Sequence, residues 1–213
     1  MVLRLTVNSV NGLENARTGM NPRSGDAKFH ELLTLLREDQ LRGGIAFQSR
    51  PDAGKKAMAM ILRAPVDEAM AQRNRRIAEL LGVKPDTREL DVGYGSIPAG
   101  NTEIMLLTRS MLQIMIDVAS YFDVPERDVA DGRTLRIRRT PEDERLFPAV
   151  MRVRESSEQA ADAFVSIRYR NHWFWVDDRD IESKRIFAFL MLMFSLTETG
   201  GAQAAPVLTI PAR

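Results

Sequence analysis

The final third of the sequence has the pattern of a two-stranded hairpin followed by a helix. Apolar and polar residues alternate over residues 165–170, a period of two that is typical of a half-buried strand. Arg170 and Asn171 suit a tight turn, and residues 172–176 return as a second strand. The apolar density of residues 181–199 predicts a helix. Locally paired strands beside a helix favour an α+β fold over a doubly wound sheet.

The rest of the chain adds further helices and strands to this plan. Helical periodicity and capping residues predict helices at residues 26–42, 66–81, 102–122 and 181–199, the third with Asn101 or Thr102 as its cap. Strands are predicted at residues 45–48, 57–62, 90–94 and 149–154, in the hairpin, and at an edge over 207–210. We therefore expect a mainly antiparallel sheet with a C-terminal β-meander. About four helices would pack on one face, the third and fourth against the sheet and the first two alongside.

The N-terminus differs from this regular pattern. Leu3, Val7, Val10 and Leu13 repeat at helical spacing, with Asn11-Gly12 as the stop signal. Residues 1–25 are accordingly interpreted as an N-terminal helix remnant and a loop. Residues 26–213 are interpreted as a single α+β domain, a reasonable size for one domain.

Composition excludes several functional classes. The 213 residues include no cysteine and only two histidines, which excludes thiol chemistry, disulfides, Cys-ligated metal centres and His-rich metal sites. Thirty basic and 29 acidic side chains give a net charge of +1, which argues against nucleic-acid binding driven by bulk charge. The longest apolar run, residues 186–196, is too short for a transmembrane segment and predicts a core helix. We expect no cofactor.

An acidic cluster follows the second hairpin strand. It comprises Asp177, Asp178, Asp180 and Glu182. Hard oxygen ligands of this kind bind magnesium or calcium, and with His172 nearby they would suit a hydrolytic metal site. The same residues also suit a helix start, with Asp180 as the N-cap and Glu182 favourable to the helix dipole. We favour capping and keep metal binding by the three aspartates as the alternative.

The aromatic hairpin is the main candidate binding surface. Its candidate residues are Arg168, Arg170, His172, Trp173 and Trp175. Alternation places Trp173 and Trp175 on one face of the strand. Aromatic and arginine side chains are enriched in protein interfaces, and they also stack on bases or grip sugars. Core packing is the simplest interpretation, followed by an interface with a protein partner or a second copy of the chain.

Arg109 is a further candidate, because it lies among apolar residues in the predicted third helix. A buried arginine there would bind an anionic ligand, whereas a structural arginine would reach the surface or pair with Asp117 or Glu103. Phosphate-loop and nucleophile-elbow motifs are absent from the sequence. We therefore expect no enzymatic activity.

Several segments together resemble a known bacterial family. They are Asn11-Gly12-Leu13-Glu14-Asn15, Tyr94-Gly95, residues 107–112, residues 164–180, Ser183-Lys184 and residues 206–211. The set resembles the C-terminal portion of a family of longer predicted lipoproteins of unknown function. This resemblance implies a cell-envelope or periplasmic location and a longer precursor that carries an upstream region and a lipid anchor. It supplies no catalytic residues.

Three functions follow as expectations. The first is a non-enzymatic protein-interaction or structural module of the bacterial cell envelope. The second is a metal-dependent hydrolase that uses the cluster from Asp177 to Glu182. The third is a ligand-binding module that uses the Trp173 and Trp175 face. If the resemblance does not hold, the alternative location is the cytoplasm.

Overall fold

The computed structural model describes residues 2–17, 24–52, 55–136, 141–146 and 148–198. In chain order the elements are α1 (Val2–Thr6), β1 (Val7–Val10), β2 (Leu13–Glu14), α2 (Ala27–Leu41), β3 (Ile45–Asp52), β4 (Lys55–Leu62), α3 (Glu68–Leu81), β5 (Glu89–Tyr94), β6 (Glu103–Thr108), α4 (Met111–Ala119), α5 (Glu126–Ala130), α6 (Pro141–Leu146), β7 (Arg154–Ser156), β8 (Ala163–Tyr169), β9 (His172–Asp177) and α7 (Ile181–Glu198). The predicted α+β class is confirmed.

The chain forms two compact units. The first comprises Met1–Tyr121 and Leu135–Ala149, and the second comprises Phe122–Thr134 and Val150–Arg213. Among the described helices, none is long and apolar enough to cross a membrane.

A six-stranded sheet forms the centre of the first unit. Its strand order is β2-β1-β6-β5-β4-β3, with β5 and β6 parallel and the other neighbours antiparallel. The core lies between this sheet and helices α2 and α3, and it includes Phe29, Leu32, Met60, Leu62, Ile77, Leu81, Leu90 and Ile104. Helices α2 and α3, which are the first two predicted helices, thus cover this sheet. The sequence instead predicts that the third and fourth helices pack on it.

Local capping explains why α2 and α3 begin where they do. The Asp26 side chain accepts a hydrogen bond from the Lys28 amide, and Asp67 accepts one from the Met70 amide at 2.7 Å. Gly82 ends α3 in the left-handed conformation, with φ of 70°. Both helices match their predicted positions to within about two residues, which is ordinary uncertainty for helix ends.

The predicted third helix is wrong over its first half. Residues 103–108 form strand β6, and helix α4 begins only at Met111. Ser110 caps α4, its side chain accepting from the Gln113 amide while the Gln113 side chain accepts from the Ser110 amide. The continuous apolar run 104–107 fits a strand or a helix equally well, so periodicity alone did not distinguish them.

The predicted N-terminal helix is also corrected. It ends at Thr6, and the chain continues as β1 and β2 of the six-stranded sheet. Asn11 and Gly12 form the hairpin turn, both with positive φ. The Asn11 side chain also donates to the Leu81 carbonyl and accepts from the Met105 amide, so it links the turn to α3 and β6.

A buried ion pair connects the N-terminal segment to α4. Arg109 lies between β6 and α4, not within a helix, and its guanidinium contacts Asp117 at 2.9 Å, with exposed side-chain fractions of 3% and 9%. The same guanidinium donates to Asn8 Oδ1 and to the Ala16 carbonyl. Because these contacts engage the cation, we assign Arg109 a structural role.

We expect Arg109→Ala to destabilise the first unit by about 3–5 kcal/mol, because it removes the guanidinium charge from a buried ion pair and leaves the Asp117 carboxylate buried. Urea unfolding followed by circular dichroism measures the loss. Arg127→Ala is the matched control, since that side chain is 85% exposed and its ion pair with Asp131 spans 3.9 Å. Equal effects of the two substitutions would contradict the structural role of Arg109.

The second unit contains a three-stranded antiparallel sheet and helix α7. The strand order is β7-β9-β8, so β9 is central and the arrangement differs from a simple meander. Arg170 and Asn171 form the predicted tight turn, with φ of 47° and 67°. The strand predicted at 149–154 is displaced, because only Arg154 of that range belongs to β7. The predicted strand at 207–210 lies outside the described residues.

Candidate functional site

Asp180 of the acidic cluster is a helix cap. Its Oδ1 accepts from the Ser183 amide at 3.0 Å, and its Oδ2 accepts from the Ser183 hydroxyl at 2.7 Å. Burial acts to raise the pKa of Asp180, but the two hydrogen bonds from Ser183 and the nearby charges of Arg152 and Arg154 lower it below its ordinary value. The carboxylate is therefore stabilised in its charged form at the start of α7.

The other three carboxylates of the cluster also have protein partners. Asp177 Oδ1 accepts from the Arg179 amide, Asp178 pairs with Lys184 at 2.7 Å, and Glu182 pairs with Arg185 at 2.9 Å. Among the described residues, no three His, Asp or Glu side chains are grouped in a way that would hold a metal ion. The geometry favours capping and ion pairing at this position.

We expect Asp180→Ala to cost about 1 kcal/mol at pH 7, the usual value for a lost N-cap. Because folding lowers the pKa of Asp180, its contribution is present above the ordinary pKa of 3.8 and is lost as the pH falls through the lower folded value. Urea unfolding of wild type and variant at pH 7 and near pH 3 measures this difference. Equal stability of the two proteins at pH 7 would contradict the cap.

A metal titration tests the hydrolase alternative at the same cluster. We expect no shift in melting temperature with magnesium, manganese or calcium, since each carboxylate already has a cationic or hydrogen-bonding partner. Differential scanning fluorimetry of wild type and of Asp177→Ala with Asp178→Ala measures it. A metal-dependent increase in melting temperature that the double variant loses would instead support metal binding by this cluster.

The aromatic hairpin places its predicted residues on two faces. Trp175 lies opposite Arg154 and Ser166, and Trp173 lies opposite Ser156 and Arg168. Directly opposed residues of antiparallel strands share a face, so both tryptophans lie on one face with flanking arginines. The Arg154 guanidinium lies 5.4 Å from the Trp175 ring centroid, within range of a cation–π contact. Both indoles are half-buried.

His172 and Arg170 lie at the turn end of the hairpin. His172 Nδ1 contacts Glu155 Oε1 at 2.5 Å, and the Arg170 guanidinium lies over the Tyr169 ring at 5.3 Å. The hairpin thus carries the five candidate residues predicted there, but it divides them between its two faces and its turn. Arg109, the sixth candidate, belongs to the first unit.

The outer face of α7 was missed by the sequence reasoning. Residues 186–196 were expected to form a core helix, but Met191, Leu192 and Leu196 are 54%, 57% and 59% exposed. Only Ser183 and Ile186 of this helix are buried among the described residues. The sequence carries no signal for this exposure, because residues 186–194 are all apolar and such a run does not mark one helix face.

Comparison with known proteins adds no relative. No protein-family model, no curated protein and no solved structure matches this chain.

Proposed function

We propose that this chain is a non-enzymatic protein-interaction module of the bacterial cell envelope, and that it binds through the outer face of α7. The observation that carries the proposal is the exposure of Met191, Leu192 and Leu196 on that face. Large contiguous apolar patches are uncommon on the surfaces of monomers and mark interaction sites.

The absence of charge strengthens this interpretation of α7. Residues 186–197 contain no Asp, Glu, Lys or Arg. Full burial of a Leu or Met side chain contributes roughly 1.5–3 kcal/mol, so each half-exposed side chain has about half of that left to gain. An apolar partner surface would supply this burial without the cost of removing water from a charge.

Strand β8 extends the apolar character of the second unit. Phe164 contacts Phe187 of α7 edge to face, with ring centroids 5.9 Å apart. Phe164, Ile167 and Tyr169 are all exposed. Aromatic side chains of this kind are enriched at interfaces, which supports a contact surface on this unit.

The envelope location comes from the family resemblance and forms a separate part of the proposal. The interaction proposed for α7 is independent of this location, because an exposed apolar face marks an interaction site in any compartment. Fractionation of the source bacterium, with antibodies against the chain, tests the location. We expect the protein in the envelope fractions, and recovery in the cytosol alone would contradict this part.

Site-specific photo-crosslinking tests the interaction itself. A photoreactive residue at Leu192 of the full chain should give a protein adduct of defined mass in the source cells. The matched control is Val66, which is 88% exposed but lies in the first unit. Excess unlabelled chain should compete with the Leu192 adduct. The same adduct pattern at both positions, or no protein adduct at Leu192, would overturn the proposed function.

A further inference from the structure

The middle of α7 has a chemically palindromic sequence. Residues 188–195 are Ala-Phe-Leu-Met-Leu-Met-Phe-Ser. Read from either end, the order is a small residue, a phenylalanine and two aliphatic residues. The centre of this symmetry lies between Met191 and Leu192.

Within these eight residues, exposure follows the same symmetry. Ala188, Met191, Leu192 and Ser195 are exposed, whereas the four residues between them are half-buried. The exposed positions are spaced by three, one and three, so they form one face of the helix. Within residues 188–195, the exposed positions are therefore symmetric about the point between Met191 and Leu192.

We infer that the occupant of this face is the α7 helix of a second copy of the chain, packed antiparallel about a twofold axis between Met191 and Leu192. The inference rests on the proposed function and names its partner. In a twofold interface the same patch meets itself, so Met191 lies against Leu192 and Ala188 against Ser195. Small side chains then meet on both sides of the axis, which allows the helices to approach to about 8–10 Å.

The charges of α7 favour antiparallel packing of the two α7 helices. Its basic residues, Lys184 and Arg185, lie in the N-terminal turns, and residues 186–197 carry none. The C-terminal end of a helix has a partial negative charge that attracts cations. An antiparallel pair brings Arg185 of each copy towards the C-terminal end of the other helix, whereas a parallel pair brings like ends together.

The size of the face sets the expected strength. The uncharged segment 186–197 is about 18 Å long at 1.5 Å per residue. One such face buries less than the roughly 800 Å² per partner of a standard interface. We therefore expect a dimer that dissociates on dilution.

Sedimentation equilibrium of the full chain over a wide concentration range provides the first test. We expect the apparent mass to rise towards twice that of the monomer. Leu192→Glu places two like charges at the axis and should weaken dimerisation by at least about 100-fold. Leu112→Glu is the matched control, because Leu112 is 65% exposed on α4 of the first unit, and it should leave the dimer unchanged. Circular dichroism verifies that both variants fold.

Disulfide trapping tests the orientation, since the chain has no cysteine of its own. An equal mixture of Ala188→Cys and Ser195→Cys, one of them tagged, should form the mixed disulfide. The 188–188 disulfide should not form, because an antiparallel pair separates these positions by about 10 Å along the axis. A predominance of the 188–188 and 195–195 disulfides would show parallel packing and overturn the inference.

A chain that stays monomeric at every concentration, without disulfide trapping, would also overturn it. If the Leu192 crosslink to a different protein persists in that case, the proposed function stands and only its partner changes. If the monomer instead binds vesicles of phosphatidylglycerol and phosphatidylcholine through this face, and Leu192 gives no protein adduct, both proposals fail.

Discussion

The Ser183 hydroxyl fixes the position of α7, and the exposed face of the second unit depends on that position. It donates to Asp180 and accepts from the Arg152 amide at 2.9 Å, so one buried group joins the cap of the helix to the chain before β7. Ile186 packs one turn later and is 2% exposed. Beyond these contacts, the described part of α7 has no buried side chain, which leaves its apolar second half available to a partner.

Much of the fold follows from local signals in the sequence. Helices α2 and α3 have capping residues and regular apolar spacing, and helix α7 has a cap and a dense apolar run. The β8–β9 hairpin has both alternation and a turn. Strand β6 was not predictable in the same way, because its apolar run fits two periodicities. The pairing of β1 with β6 joins residues about a hundred positions apart, and no local pattern specifies such a contact.

In the candidate site, too, some roles follow from local sequence and others depend on tertiary contacts. The capping role of Asp180 was predictable, since a carboxylate before an apolar helix has a specific local function. The role of Arg109 was only partly predictable: Asp117 was a candidate partner, but the contacts to Asn8 and Ala16 require the tertiary structure. Exposure of the α7 face was not predictable, because an apolar helix has the same sequence whether its face is covered by its own chain or by another.

Each unit is built from two separated stretches of chain, with Leu135–Ala149 returning to the first unit after Phe122–Thr134 has entered the second. No single truncation point therefore yields either unit whole. During synthesis from the N-terminus, the ribosome must release residues of the second unit before the first is complete. A shortened chain would leave at least one unit without part of its contacts. The two units therefore have to be expressed together as one chain.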